Sequence, residues 1–207
     1  CDQLEATPSK GSLIKREITR VLTPGTVIEE GMLQARRNNW LAAIVIDESN
    51  SFSWGLATAD VSTGEFIVME REGKASLSQE LNKLDASEVI YSPDEFNTSH
   101  DWCPEKVHLT EISKTPFNKT EAEFTLKNHF ELTSLNGIGL QEWPLALRAA
   151  GGLLKYLNNT TPNNKENLCF SQSSKIPLDL PRIIFQKDYL IIDSQTQRNL
   201  EIISTQR

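Results

Sequence analysis

The sequence predicts an α/β fold: a mixed sheet that opens with an antiparallel three-strand meander and carries flanking helices. Three observations lead to that expectation. Leu41–Ile46 is an unbroken apolar run of strand length, as required of a central strand covered on both faces. Trp54–Met69, WGLATADVSTGEFIVM, reads as a hairpin. Beyond it, residues 74–84, 120–132 and 142–157 place apolar side chains at helical spacing.

Residues 1–26 read as the end of a unit whose greater part lies elsewhere. Thr7-Pro8-Ser9-Lys10-Gly11 is loop chemistry, Ile14–Leu22 is strand-like, and Thr23-Pro24-Gly25-Thr26 closes that strand with a turn. Residues 27–37 read as a linker, and a second unit spans 38–187. In its hairpin, Trp54–Val61 and Glu65–Met69 are the arms, and Ser62, Thr63 and Gly64 the bend. Gly64 is the residue best able to take φ > 0. Trp54, Leu56, Thr58 and Asp60 point to one side, and Gly55, Ala57, Ala59 and Val61 to the other. The second side is made of small residues, which suits a helix lying close or another backbone passing.

Leu77, Leu81 and Leu84 mark the first helix, over Lys74–Leu84. Glu88–Tyr91 and Val107–Thr110 read as short strands, with a loop over Pro93–Asp101. The second helix, Thr120–Leu132, is expected to be capped by Thr120 with Glu123 three residues on. Ala122, Leu126 and Phe130 share one of its faces. Phe124 lies roughly 160° from Leu126 at 100° per residue, so it is either a partner anchor or a second core contact beneath a loop. The third helix, Glu142–Leu157, tolerates Pro144 in its first turn. Its Gly151-Gly152 pair costs about 1 kcal/mol per glycine relative to Ala. Such a pair predicts close packing, here against the small-residue side of the hairpin. Asn158–Ser174 is a polar loop, Arg182–Phe185 and Tyr189–Ile192 are β-like, and Asp193 or Ser194 caps a last helix with Leu200 and Ile203. Residues 188–207 read as the start of a third unit.

The net charge of −7 is distributed unevenly: residues 1–37 hold six basic and five acidic side chains (+1), leaving −8 for the remainder. An acidic surface disfavours phosphate binding by the chain as a whole. Lys15 and Arg16 are the candidates for a local DNA-backbone contact, although Glu17 interrupts that basic stretch. Cys1, Cys103 and Cys169 are isolated and odd in number, which fits a reduced, cytoplasmic protein rather than a disulfide framework. No apolar run approaches membrane-spanning length.

Motifs for chemistry are sparse. There is no G-x-x-x-x-G-K-[ST] and no G-x-G-x-x-G, and His100, His108 and His129 are scattered. Three strands followed by a helix resemble the ribonuclease H arrangement, whose nucleases gather carboxylates round two cations. Asp47, Asp60 and Glu65 are the residues a metal-dependent nuclease of that type would use. The plainer reading makes Asp60 a turn or edge hydrogen-bonder and leaves Asp47 and Glu48 solvated.

Several words in the chain are specific in combination. Cys1-Asp2-Gln3-Leu4-Glu5 is followed by Arg16-Glu17-Ile18-Thr19-Arg20-Val21-Leu22-Thr23-Pro24-Gly25-Thr26. Asn39-Trp40-Leu41-Ala42-Ala43-Ile44, Gly55-Leu56-Ala57 and Asp60-Val61-Ser62-Thr63-Gly64-Glu65-Phe66 come next. Ala149-Ala150-Gly151-Gly152-Leu153-Leu154-Lys155-Tyr156 and Thr196-Gln197-Arg198-Asn199-Leu200-Glu201 complete the set. Through these the chain resembles an internal piece of the MutS family of bacterial DNA mismatch-repair proteins. The resemblance implies the end of the mismatch-binding domain over 1–26, a connector domain over 38–187, and the start of the core (lever) domain from 188. It implies that the connector has a ribonuclease H-like fold without nuclease activity.

It implies further that the parent recognises mispaired or looped-out bases as a homodimer. ATP, bound with Mg, then converts the parent to a sliding clamp that recruits MutL. The family's mismatch-reading Phe-x-Glu motif occurs nowhere in this chain. The ATPase region is not present either. This piece is therefore expected to hold no catalytic residue, cofactor or metal, to relay conformational change, and to help dock MutL. The helix face formed by Glu121, Phe124, Thr125 and Asn128 is the expected docking surface, since that spacing places them on one side.

Overall fold

The structure, a computed structural model, describes residues 23–26, 38–49, 52–95, 100–160 and 176–185, with the backbone of 2–3 and 16–17. The expected linker, Tyr189–Ile192, the helix after it and Lys15 lie outside the described residues. So do residues 161–174 of the expected loop. Within the Ile14–Leu22 stretch, Arg16–Glu17 pairs antiparallel with Asp2–Gln3.

One six-stranded sheet organises the remainder. Its strands are β1 (Leu41–Asp47), β2 (Ser53–Ala59), β3 (Phe66–Glu72), β4 (Glu88–Tyr91), β5 (His108–Glu111) and β6 (Arg182–Ile183). The spatial order is β5-β4-β1-β2-β3-β6. β1, β2 and β3 pair antiparallel, whereas β4 joins β1 in parallel, β5 joins β4 in parallel, and β6 joins β3 in parallel. The first five strands thus lie in the order 3-2-1-4-5 with only the second reversed, which is the ribonuclease H arrangement. The hairpin bend forms as expected: Gly64 has φ 82°, and its N–H donates to the Asp60 carbonyl at 2.8 Å.

The helices are α1 (Lys74–Leu84), α2 (Lys119–Phe130) and α3 (Pro144–Thr160). Leu77 and Leu81 of α1 pack on one side of the sheet with Ala42, Ile44, Ile46, Trp54, Leu56, Met69 and the loop residue Trp102. Ala122 and Leu126 of α2, with the apolar side of α3, cover Leu41, Ala43, Val45, Ala57, Ala59 and Val68 on the other. Alternate residues of β1 therefore enter different cores, which is why its sequence shows no polar alternation.

The small-residue side of β2 receives α3 at van der Waals limits. A Cβ on Gly55 would stand 2.1 Å from the Leu145 carbonyl carbon and 2.3 Å from the Ala146 nitrogen. Glu70 lies directly across the ladder from Gly55. Its Oε2 accepts from the N–H groups of Leu145 (2.8 Å) and Ala146 (3.0 Å), two donors that the first turn of a helix leaves without intrahelical partners. Burial raises the Glu70 pKa, against the lowering effect of those two bonds.

Two local expectations need correction. The Gly151-Gly152 pair does not face the hairpin. A Cβ on Gly151 would stand 2.3 Å from Ala122 Cα of α2, and one on Gly152 would stand 2.3 Å from the Phe117 ring. The glycines serve a helix–helix approach, and the sheet contact falls to Gly55 instead. Nor does Thr120 cap α2: the cap position is Asn118, and no side chain bonds the helix start there.

Candidate functional site

The face of α2 away from the core is the surface the sequence singles out. Ala122, Leu126 and His129 are buried, and Phe130 stacks on Phe66 with ring centroids 6.1 Å apart. Helical geometry then turns Glu121, Phe124 and Asn128 outward, with Thr125 half-buried beside them. Phe124 is 62% exposed, the most exposed large apolar side chain among the described residues. It is therefore not a second core contact beneath a loop. The four positions do share one side of the helix.

The three carboxylates of the nuclease reading do not converge. Asp47 ends β1 opposite Ser53, whereas Asp60 follows Ala59, the partner of Leu41 at the other end of the same ladder. Those ends are on the order of 20 Å apart at about 3.3 Å per residue. Asp47 is half-buried, and its pKa is lowered by the hydroxyl and backbone N–H of Ser49. Asp60 is fully buried. Its Oδ1 accepts from the Ser62 N–H (2.9 Å) and hydroxyl (2.6 Å), and its Oδ2 from the Asn39 N–H (3.1 Å). Glu65 Oε2 accepts from Asn38 Nδ2 at 2.9 Å. Asp60 is thus a turn hydrogen-bonder, as the plainer reading holds. Among the described residues no group of three or more His, Cys, Asp or Glu side chains is placed to hold a metal ion.

Sequence reasoning missed one carboxylate. Glu88 opens β4 and is fully buried. Its Oε1 accepts from Tyr156 and Thr110, each at 2.7 Å, and its Oε2 from the Gly25 N–H at 3.0 Å. The Tyr156 phenol is pushed up to about 12 by burial and by its bond to Glu88. The available signal was a charged residue at the head of the short run Glu-Val-Ile-Tyr, which reads as an ordinary strand start. Lys15 is outside the described residues, as is the side chain of Arg16.

Fold and site define a ribonuclease H-like module in which Asp60 and Glu88 hold chain segments in place. The family model described as MutS domain II matches residues 39–168. The chain is 56% identical over 214 residues to the DNA mismatch repair protein MutS of Prochlorococcus marinus (strain MIT 9303), covering 100% of this chain and 22% of that protein. It is 53% identical over 213 residues to the protein of the same name from Synechococcus sp. (strain WH7803), covering 100% and 23%. The chain belongs to the MutS family, and residues 39–168 are its domain II, the connector. It spans about a fifth of the length of these curated relatives. The nuclease domain of the large terminase subunit gp2 of bacterial virus Sf6 aligns with a TM-score of 0.34 at 12% identity, over 53% of this chain and 62% of that one. A likeness that slight carries no argument.

Proposed function

We propose that this chain acts as a non-catalytic connector within a mismatch-repair protein, passing conformational change between a preceding mismatch-binding domain (1–26 its end) and a following core domain (from 188). In this reading the whole protein binds mismatched DNA as a homodimer in the cytoplasm and uses ATP with Mg. This piece supplies part of the docking surface for MutL. The carrying observation is Phe124, an aromatic side chain 62% exposed on a helix whose opposite face is core. Buried aromatic anchors dominate protein interfaces, and an exposed one is a natural candidate for burial by a partner. Titration of the chain with MutL tests it. Saturable binding that Phe124→Asp abolishes is the expected outcome, and identical binding by the variant would move the docking surface elsewhere.

The nuclease alternative predicts Mg²⁺- or Mn²⁺-dependent cleavage that Asp60→Asn removes. The expected result is no cleavage by either chain, because Asp60 is already occupied by three donors and stands far from Asp47. Direct DNA binding through Lys15 and Arg16 would show as affinity that falls steeply with salt and is lost in the Lys15→Ala/Arg16→Ala double variant.

A further inference from the structure

The Thr23–Thr26 turn is folded on itself and seated against the sheet. The Thr26 hydroxyl accepts from the Thr23 N–H at 2.9 Å, and the Thr26 N–H donates to the Thr23 carbonyl at 3.0 Å. Gly25 and Thr26 are buried. Two strands grip the turn. Asn39 Nδ2, just before β1, donates to the Pro24 carbonyl at 2.9 Å, and the Gly25 N–H donates to Glu88 Oε2 on β4. The fit allows no side chain at Gly25: a Cβ there would stand 2.7 Å from Leu41 Cδ1 and 3.1 Å from Glu88 Oε2.

The same groups continue inward. Asn39 Oδ1 accepts from the Ser87 hydroxyl at 2.6 Å, and the Asn39 N–H reaches Asp60 at the hairpin bend. Through its other oxygen Glu88 meets Thr110 of β5 and Tyr156 of α3. A buried carboxylate that loses a donor bears the desolvation penalty of the missing bond, so the donors to Glu88 support one another. Lifting the turn takes away one of the three and opens the carboxylate to water. Loosening Tyr156 weakens the seat of the turn.

We infer that Gly25 and Glu88 form a clasp that fastens the entering chain to the connector and couples its position, through Glu88 and the side-chain bond of Thr23, to Tyr156 on α3. The inference rests on the connector reading, and gives it a point of entry: motion of the preceding segment reaches the sheet at Gly25 and the helix at Tyr156. Gly25 is a clasp residue by shape, and Glu88 and Tyr156 are positioning residues.

Hydrogen exchange read by mass spectrometry on the 207-residue chain tests it, with rates corrected for the intrinsic exchange of each sequence. Gly25→Ala is expected to speed exchange over 23–26 by about tenfold, the loss of one buried hydrogen bond, while β2 and β3 stay protected. Tyr156→Phe removes a donor to Glu88 together with the side-chain bond between Tyr156 and Thr23 of the turn, and is expected to speed exchange at the same turn by several-fold. No change in Gly25→Ala would overturn the clasp. A response to Gly25→Ala but none to Tyr156→Phe would overturn the coupling and leave a local anchor. Failure of MutL to bind would count against the docking proposal alone, since neither exchange result depends on a partner.

Discussion

Helices α2 and α3 cover the same side of one sheet, yet they are held in different ways. α3 is locked from two directions. Its first turn presses on the backbone at Gly55 and donates to Glu70, while its middle meets α2 and Phe117 through Gly151 and Gly152. α2 is gripped on one side only, by the close approach at Ala122 and the apolar contacts of Leu126 and Phe130. Its cap has no side-chain bond, and its outer side carries Phe124. The difference separates a helix whose sequence answers to packing throughout from one with a face that packing leaves unassigned. Only the second can present residues to a partner without loosening the core.

The largest expected effect comes from breaking the sheet contact of α3. Gly55→Ala places a Cβ against main-chain atoms that cannot swing aside, and should cost about 3 kcal/mol or more in urea denaturation. Gly151→Ala acts on the contact the two helices share. It should cost about 1–3 kcal/mol, with the loss in exchange protection centred on α2 rather than on β2.

A smaller, pH-dependent effect belongs to the α3 start alone. The folded Glu70 pKa is raised above its ordinary value of 4.5, chiefly by burial. The fold therefore favours the protonated carboxyl. Its contribution is fully present below the ordinary value and is lost as pH rises through the higher folded one. Glu70→Gln should flatten that stretch of the stability–pH curve, read as melting temperature from acid to neutral pH. The smallest effect on stability should be Phe124→Asp, within about 0.5 kcal/mol of the parent, because the side chain is already in water. A large loss there would mean that α2 is packed on both sides after all, and the contrast with α3 would disappear.

Local pattern was enough for most elements. The period of Leu77, Leu81 and Leu84 gave the bounds of α1, and the apolar run of β1 told that both its faces are covered. The alternation of small and large residues in β2 also told which side would take a helix. What failed were statements about which surfaces meet. Gly151 and Gly152 announce a close approach without saying to what, because a missing Cβ is compatible with a strand, a helix or a ring. Asp47 and Asp60 look close in sequence, but the antiparallel register sends them to opposite ends of the ladder. Glu88 reads as an ordinary strand start, and its three donors come from positions 63, 22 and 68 residues away.

By itself, then, the amino-acid order determined the kinds of element, the two-sided burial of the first strand and the family, and left Phe124 open between a partner anchor and a core contact. These follow from periodicity and from words read over a few residues at a time. The tertiary structure alone decided that Gly55 seats α3, that Asp60 serves a turn, and that Glu88 joins the Thr23–Thr26 turn to α3. Each of these depends on a backbone approach or a hydrogen bond between distant segments, whose partners only the packed chain brings within reach.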